Sequence, residues 1–229
     1  MKPTITLLLT GLIGLLIQPA NVNAEEYHLG FRIAPRISTL GGGLEVAQGV
    51  TPWLGLRAGA NYFTYGYEAT ESDINYDLDL ELKSFGLFAD IHPFKQAFRL
   101  SVGFLINGNG IDGKGKLTGS IDIGDTSYTS ADIQSINMDV SFNTFAPYVG
   151  LGFDTTFGDE DNWGFTFDLG VMFSGAPAAN LSVQDTFAAN SIQKTTLNQD
   201  INKEEQSLQN DLDAYEFYPV LSTGIVYQF

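Results

Sequence analysis

The last segment of the chain, residues 215–229, places the tightest constraint on the fold. Ile225, Tyr227 and Phe229 fall on one face of an extended chain, which predicts an amphipathic β-strand. No turn follows this strand, so we expect its outer edge to pair with an earlier segment. An edge left open in water invites aggregation, whereas closing a barrel removes it. The segment therefore favours a closed β-barrel.

Seven earlier segments have the same period of two, which makes eight predicted strands. Their bounds are 28–37, 43–50, 53–67, 74–91, 98–117, 136–157, 163–183 and 215–229. The alternation is cleanest over residues 74–82, where apolar residues occupy the even positions and mostly acidic residues the odd ones. Past Lys83 the apolar residues move to odd positions, which predicts a β-bulge. A second phase change is predicted near residues 145–147.

The composition fits such a barrel and excludes other classes. Hydrophobic residues make up 44% of the chain and the mean hydropathy is near zero, which is too polar for a helical membrane protein and suits strands that are apolar on alternate residues. A formal charge of −16 argues against nucleic acid as a partner. There is no cysteine, so disulfides and thiolate metal sites are excluded.

The first 24 residues resemble a secretory signal peptide. Lys2 precedes an uncharged apolar run from Ile5 to Ile17, and a small residue, Ala24, stands before a cleavage point at Glu25. An uncleaved anchor is the alternative, but a span needs about 20 apolar residues. We expect residues 1–24 to be removed on export and residues 25–229 to form one barrel domain.

The end of the chain carries a recognisable pattern. Ser222, Gly224, Tyr227 and Phe229 resemble the carboxyl-terminal assembly signal of bacterial outer-membrane barrels. With its eight alternating segments, the chain resembles the small eight-stranded barrels of this class, such as the OmpA transmembrane domain, OmpX and OmpW. The stretch from Thr51 to Tyr62 is similar to the second hairpin of many such proteins.

This resemblance implies a fold and a compartment but no reaction. The fold would be all-β, a transmembrane antiparallel up-and-down barrel of eight strands with one short helix in the last long loop. The implied partners are outer-membrane lipid and the barrel assembly machinery. A soluble lipocalin-like barrel is the alternative, and it would turn the apolar residues inward.

Connection lengths predict the orientation. Short turns follow the second, fourth and sixth strands, and longer connections at 69–73, 118–135 and 184–214 follow the third, fifth and seventh. Short turns face the periplasm in such barrels, so both termini are expected there. Three aromatic residues begin strands just after the short turns and would form an inner aromatic girdle: Trp53, Phe98 and Trp163.

If the apolar residues face lipid, the polar residues of the strands face the lumen. An eight-stranded barrel is just wide enough for side chains to fill, so charges inside it must pair. Such a network could be a structural plug, a gate in a narrow pore, or part of a ligand site. The predicted members are Arg32, Arg36, Glu45, Arg57, Asp79, Glu81, Lys83, Asp90, Arg99, Asp139 and Asp168.

No catalytic, cofactor or metal site is expected. The two histidines, His28 and His92, lie near the predicted periplasmic end without a nucleophile motif beside them, which disfavours a lipid-modifying enzyme. Acidic residues in 73–81 could offer oxygen ligands to calcium, but paired or solvated charge is the simpler interpretation. Apolar spacing predicts a helix around residues 197–213, which could cap the barrel mouth or present a face to a partner. An extracellular ligand or a small solute is a further possible partner of the barrel.

Overall fold

The computed structural model describes residues 28–71 and 74–229, in which thirteen strands and one helix are formed. The proposed signal peptide lies outside the described residues. In chain order the elements are β1 (Phe31–Ser38), β2 (Gly41–Thr51), β3 (Leu54–Glu71), β4 (Ile74–Ile91), β5 (Phe98–Asn107), β6 (Gly110–Leu117), β7 (Ser120–Ile123), β8 (Thr126–Thr129), β9 (Ile133–Ser141), β10 (Phe145–Asp154), β11 (Trp163–Phe173), β12 (Ala178–Asp185), α1 (Ile192–Leu212) and β13 (Phe217–Gln228).

Eight of these strands form a closed antiparallel barrel. The wall runs β1, β2, β3, β4, β5, β10, β11 and β13, and β13 pairs again with β1 from Arg32↔Gln228 to Ser38↔Ser222. The last strand thus has β11 on one edge and β1 on the other. The predicted eight-stranded barrel is confirmed, because every wall strand finds a partner on both sides.

Strands β3 and β4 continue beyond the rim of the barrel. The far half of β4 pairs with β6, β6 pairs with β9, and β9 pairs with β12. These strands, with β3 from Phe63 and β4 up to Leu82, form what we call the upper sheet. Three of the predicted strands, 98–117, 136–157 and 163–183, therefore each divide into a wall strand and an upper-sheet strand.

The predicted bulge past Lys83 is wrong. β3 and β4 pair in one unbroken register from Leu54↔Ile91 to Glu71↔Ile74. β4 also keeps a single register as its partner changes from β5 to β6. The phase change predicted near residues 145–147 is not a slip either, since the pairing of β9 with β6 continues in the same register as that of β10 with β5.

What changes at the rim is the face that the apolar residues occupy. On β4, Ser84 and Asp90 line the lumen while Phe85 and Ile91 are exposed on the outside of the wall. Over residues 74–82, which lie above the rim, the even positions continue the lumen face and are apolar. The odd positions face outward and are polar. The barrel is therefore apolar outside and charged inside, and the upper sheet is the reverse. A lipocalin-like barrel, with its apolar residues inward, is excluded.

Helix α1 covers part of the inner face of the upper sheet. It has 21 residues and begins where Ser191 accepts a hydrogen bond from the Lys194 backbone N–H. Six side chains form a second core between the helix, a hairpin and the sheet: Leu117, Ile123, Tyr128, Ile133, Leu197 and Ile201. Within the described residues, no helix combines the length and hydropathy needed to cross a membrane. The predicted helix is confirmed, though it is longer than expected.

The same helix protects an edge of the upper sheet. Glu205 accepts a hydrogen bond from the Leu181 N–H at 2.9 Å, and Gln209 accepts one from the Ala179 N–H at 3.1 Å. Gln209 also donates to the Pro177 carbonyl at 3.0 Å. These side chains replace the missing neighbour of β12, so this edge presents fewer free backbone groups to another strand.

The predicted polar loop at 118–135 contains a hairpin, β7–β8, that docks on α1. The turn residue Gly124 has φ +57° and donates its N–H to Glu204 at 3.0 Å. Tyr128 donates to Asp200 at 3.0 Å. Hydrogen bonds from Thr126, Tyr128 and Lys203 hold the pKa of Asp200 below its usual range. The hairpin and the helix thus form one cap.

Candidate functional site: a charge-balanced lumen

Eight charged side chains meet inside the barrel, and seven of the eight wall strands contribute them. The members are Arg32, Arg36, Glu45, Arg57, Asp90, Arg99, Asp154 and Asp168. We call this set the lumen network. It holds four arginines and four carboxylates, and these are all the arginines of the chain. The network is therefore formally neutral.

Asp168 on β11 is the centre of the network. Its carboxylate accepts hydrogen bonds from Arg99 at 2.9 and 3.0 Å and from Arg57 at 3.5 Å. Arg36 also donates to it, and Ser222 lies 3.4 Å away. A single carboxylate thus faces three guanidinium groups, in a position where water has little access.

Arg57 on β3 links the two sides of the lumen. Its guanidinium forms a two-point contact with Asp90, through Nε at 2.8 Å and Nη2 at 3.1 Å. Its Nη1 donates to Glu45 at 2.8 Å, and Glu45 also accepts from Arg36. Bidentate guanidinium–carboxylate pairs are among the stronger hydrogen bonds in proteins and fix both partners.

The network continues toward the end of the barrel where β1 begins and β13 ends. Arg99 lies 3.6 Å from Asp154, and Asp154 accepts a hydrogen bond from Arg32 at 2.7 Å. Next to Arg32, the His92 ring stacks on Phe157, with the ring centroids 3.4 Å apart. The Arg32 guanidinium lies over the same phenyl ring. Burial lowers the pKa of His92, against a hydrogen bond with the Gln96 carbonyl that raises it.

An apolar layer closes the lumen on the side of the upper sheet. It consists of Leu40, Leu105, Ala146, Tyr148, Met172 and Val220, with Phe88 and Tyr218 packed against it. The rings of Phe88 and Tyr148 meet edge to face at 5.1 Å, and the Arg57 guanidinium lies 4.6 Å from the centre of Phe88. A cavity of about 40 Å³ is lined by both layers, with room for a few water molecules.

Seven of the eleven predicted lumen residues lie in the lumen network, and four do not. Asp79 and Asp139 are exposed on the outer face of the upper sheet, in line with Asp112. Lys83 and Glu81 form a largely exposed pair at 2.7 Å. The interpretation failed at these four positions because the lumen-facing side of the strands becomes apolar beyond the rim.

Asp154 is a network member that is not among the eleven predicted lumen residues. It has the same parity as Tyr148 and Gly152, which face inward on β10, while Leu151 and Phe153 are exposed. Alternation along β10 alone would have assigned it to the lumen.

The residues of the carboxyl-terminal signal each occupy a defined place in the barrel. Ser222 points into the lumen and contacts Asp168 and Arg36. Tyr227 packs edge to face on Trp163 and on Phe229, each at 4.8 Å. Recognition of the signal residues by the barrel assembly machinery stays a prediction.

Gly224 is required by the close approach of β13 to β1. A Cβ atom there would lie 2.4 Å from the Pro35 carbonyl oxygen, which is backbone and cannot easily move. We expect Gly224→Val to cost at least about 2 kcal/mol of folding free energy, since overpacking typically costs 1–3 kcal/mol and the clash is with backbone. Urea titration of the refolded barrel measures this. The matched control is Gly42→Val, because a Cβ atom at Gly42 has nothing within 4 Å. Equal loss in both variants would contradict the expectation.

The predicted girdle residues lie at the end of the barrel with the short turns. Trp53 and Trp163 are exposed on the outside. Phe98 packs on Phe153 at 5.4 Å and on Phe94 at 5.8 Å. These aromatic side chains are adjacent to the β2–β3, β4–β5 and β10–β11 connections.

The likeness to known proteins is one of fold. No family model matches the chain, and no curated protein matches it. Two solved structures from Acinetobacter baumannii are similar to it. CarO has a TM-score of 0.56 and 22% identity, covering 90% of this chain and 100% of its own. CarO2 has a TM-score of 0.55 and 22% identity with the same coverage. At this identity the two structures share with the chain a barrel fold over most of its length.

Proposed function

We propose that this chain is a non-enzymatic β-barrel protein of a Gram-negative outer membrane, with a plugged lumen and a structural or surface-interaction role. The observation that carries the proposal is the neutral network of four arginines and four carboxylates across the lumen. The likeness to CarO supports the fold on which it rests. Kinship with OmpA, OmpX or OmpW is an expectation from the sequence.

The polarity of the wall supports a membrane location. Strand β11 has 11 residues and ends in an exposed aromatic residue on each side, Trp163 and Phe173. At about 3.3 Å per residue its length is roughly 33 Å, and a tilt of about 40° leaves roughly 25 Å along the barrel axis. That is the height of the apolar band in outer-membrane barrels.

The inversion at the rim supports the orientation. An outward face that is apolar below the rim and charged above it suits lipid below and water above. The upper sheet and its helical cap would then lie outside the cell, and both termini in the periplasm. Export through a cleaved signal peptide and insertion by the barrel assembly machinery follow from the sequence pattern.

The two layers in the lumen favour a plug. Separating a buried ion pair is strongly unfavourable because it leaves an uncompensated charge, and here several pairs would have to separate together. The apolar layer of Tyr148, Leu105 and Met172 adds a second barrier, since ions do not enter an apolar constriction readily.

Ion conductance of the refolded chain, residues 25–229, in a planar bilayer tests the proposal. We expect no discrete openings from protein whose folding is verified by its shifted mobility on an unheated gel. The positive control is the double variant Arg57→Ala with Tyr148→Ala, which removes a member of each layer and should conduct. Discrete openings from the unmodified barrel would overturn the plug.

A narrow channel or carrier for small or hydrophobic solutes is the second candidate. The cavity lined by both layers favours it, because Arg36 and Arg57 line that cavity and a rearrangement of either side chain would widen it. Arg99→Ala separates the two candidates. Loss of stability without conductance supports the plug, and conductance without loss of stability supports a gate. If the barrel modified lipid, and alanine at His28 and His92 abolished that reaction, the protein would instead be an enzyme.

A further inference from the structure

The inner face of the upper sheet is a continuous apolar surface. Residues paired between neighbouring strands lie side by side on this face. Examples are Tyr67↔Leu78 between β3 and β4, Gly113↔Met138 between β6 and β9, and Met138↔Leu181 between β9 and β12. Helix α1 and the β7–β8 hairpin cover the half formed by β9 and β12. On the half formed by β3 and β4, Ile74 is buried, but the β3 side chains Phe63, Tyr65 and Tyr67 have no such cover in the described part of the chain.

Three aromatic side chains dominate the uncovered half. Phe63, Tyr65 and Tyr67 are exposed by 44%, 56% and 51% and stand at successive inner positions of β3. Their neighbours across the strand pair are Leu82, Leu80 and Leu78. We call these six residues the aromatic face. Apolar surface of this kind, rimmed by charged residues, is characteristic of a docking site.

The backbone beside the aromatic face is also unpartnered. Pairing between β2 and β3 stops at Gly42↔Tyr62, so within the described residues β3 from Phe63 onward has a strand neighbour on the β4 side alone. The opposite edge of the same sheet, on β12, is covered by Glu205 and Gln209. An open edge with exposed apolar side chains is the geometry that accepts an added strand.

The charge of the upper region indicates the kind of partner. Residues 63–83, 108–141 and 177–216, which hold the upper sheet and its cap, contain 18 acidic residues and five lysines, a net charge of −13. The aromatic face itself carries no charge. A second copy of the chain would bring another −13 to the same edge, whereas a basic segment would be attracted.

We propose that the β3 edge and the aromatic face form a docking site for an extended, positively charged polypeptide segment of another protein. The segment would pair with β3 as an added strand, set alternate apolar side chains on Phe63, Tyr65 and Tyr67, and keep its basic side chains toward the acidic outer face. This assignment rests on the proposed surface-interaction role and names the chemistry of the partner.

Binding of a synthetic ten-residue peptide with alternating lysine and valine to the refolded barrel in a neutral detergent tests the proposal. We expect measurable binding by fluorescence anisotropy, with protection of the Thr64 to Thr70 amides from hydrogen exchange. The double variant Tyr65→Ser with Tyr67→Ser should weaken binding at least about tenfold, the effect of losing central aromatic contacts. The matched control, Tyr62→Ser, alters an exposed tyrosine on the opposite face of β3 and should change binding less than about twofold.

Two further peptides separate the contribution of charge from that of backbone pairing. A glutamate–valine peptide of the same length should not bind, because the upper region would repel it. A lysine–valine peptide with N-methyl groups along its pairing edge should not bind either, because it cannot form the strand ladder. Equal binding of either peptide would overturn the inference.

Other occupants of the site would also be recognised. Self-association of the barrel that Tyr65→Ser abolishes, or binding of a neutral sugar or lipid in place of the peptide, would overturn the assignment to a basic segment. Conductance reports on the lumen separately. A barrel that does not conduct and does not bind the peptide would reject the docking site and leave the plugged lumen supported. A barrel that conducts and binds the peptide would reject the plugged lumen and leave the docking site supported.

Discussion

Replacing Asp168 by alanine is expected to lower the free energy of unfolding of the barrel by about 3–5 kcal/mol, the usual cost of removing one partner of a buried ion pair. Asp168 faces Arg36, Arg57 and Arg99 at the centre of the lumen network. Without it, four arginines would share three carboxylates inside the barrel. The remaining partners cannot compensate, because Glu45 and Asp90 are already engaged by Arg57.

Urea unfolding in lipid vesicles, followed by the fluorescence of Trp53 and Trp163, measures this effect. The control is Asp139→Ala, an exposed aspartate on the outer face of the upper sheet, which should change stability by less than about 0.5 kcal/mol. Asp168→Asn should also be strongly destabilising, since an amide cannot neutralise three guanidinium groups. If Asp168→Ala and Asp139→Ala unfold at the same urea concentration, the network contributes nothing to stability.

Replacing Leu197 by alanine is expected to undock α1 while leaving the barrel folded. The Leu197 side chain is fully buried between the helix, the hairpin and the sheet, and such truncations cost about 2–5 kcal/mol. The second core is small, so a loss of this size should release the cap. The lumen network lies in another part of the molecule and should not respond.

Limited proteolysis and hydrogen exchange test the undocking. Peptides from α1 should be cleaved and should exchange much faster in Leu197→Ala, whereas the gel mobility of the folded barrel stays unchanged. Ile192→Ala is the matched control, because Ile192 begins the same helix and is largely exposed. Loss of the barrel together with the cap would mean that the two fold as one unit and would contradict the expectation.

The barrel could be predicted from the sequence because its surroundings impose a period of two on each wall strand. The predicted bounds of the fourth strand, 74–91, are those of β4. The same alternation assigned all four arginines to the lumen, where each finds a carboxylate. Whether a residue stands at an odd or an even position indicates reliably which face of the strand it occupies, wherever one face is uniformly apolar.

The upper sheet could not be predicted in the same way. Alternation gives two faces but does not say which one is inside, and the apolar face turns inward above the rim. Asp79 and Asp139 were therefore assigned to the wrong side of their strands. Strands β7 and β8 have only four residues each, too few for a periodic signal to stand out from a polar loop.

The unbroken register of β3 and β4 has a consequence for how the hairpin finds its pairing. A slip of one residue in a strand moves every side chain to the opposite face. For β4 such a slip would turn Asp90 toward the lipid and Asp79 into the second, apolar interior at the same time. The two halves of the strand have opposite polarity patterns, so an error that harms one half harms the other as well. A slip is therefore penalised twice, and the two patterns together fix one alignment of the longest hairpin.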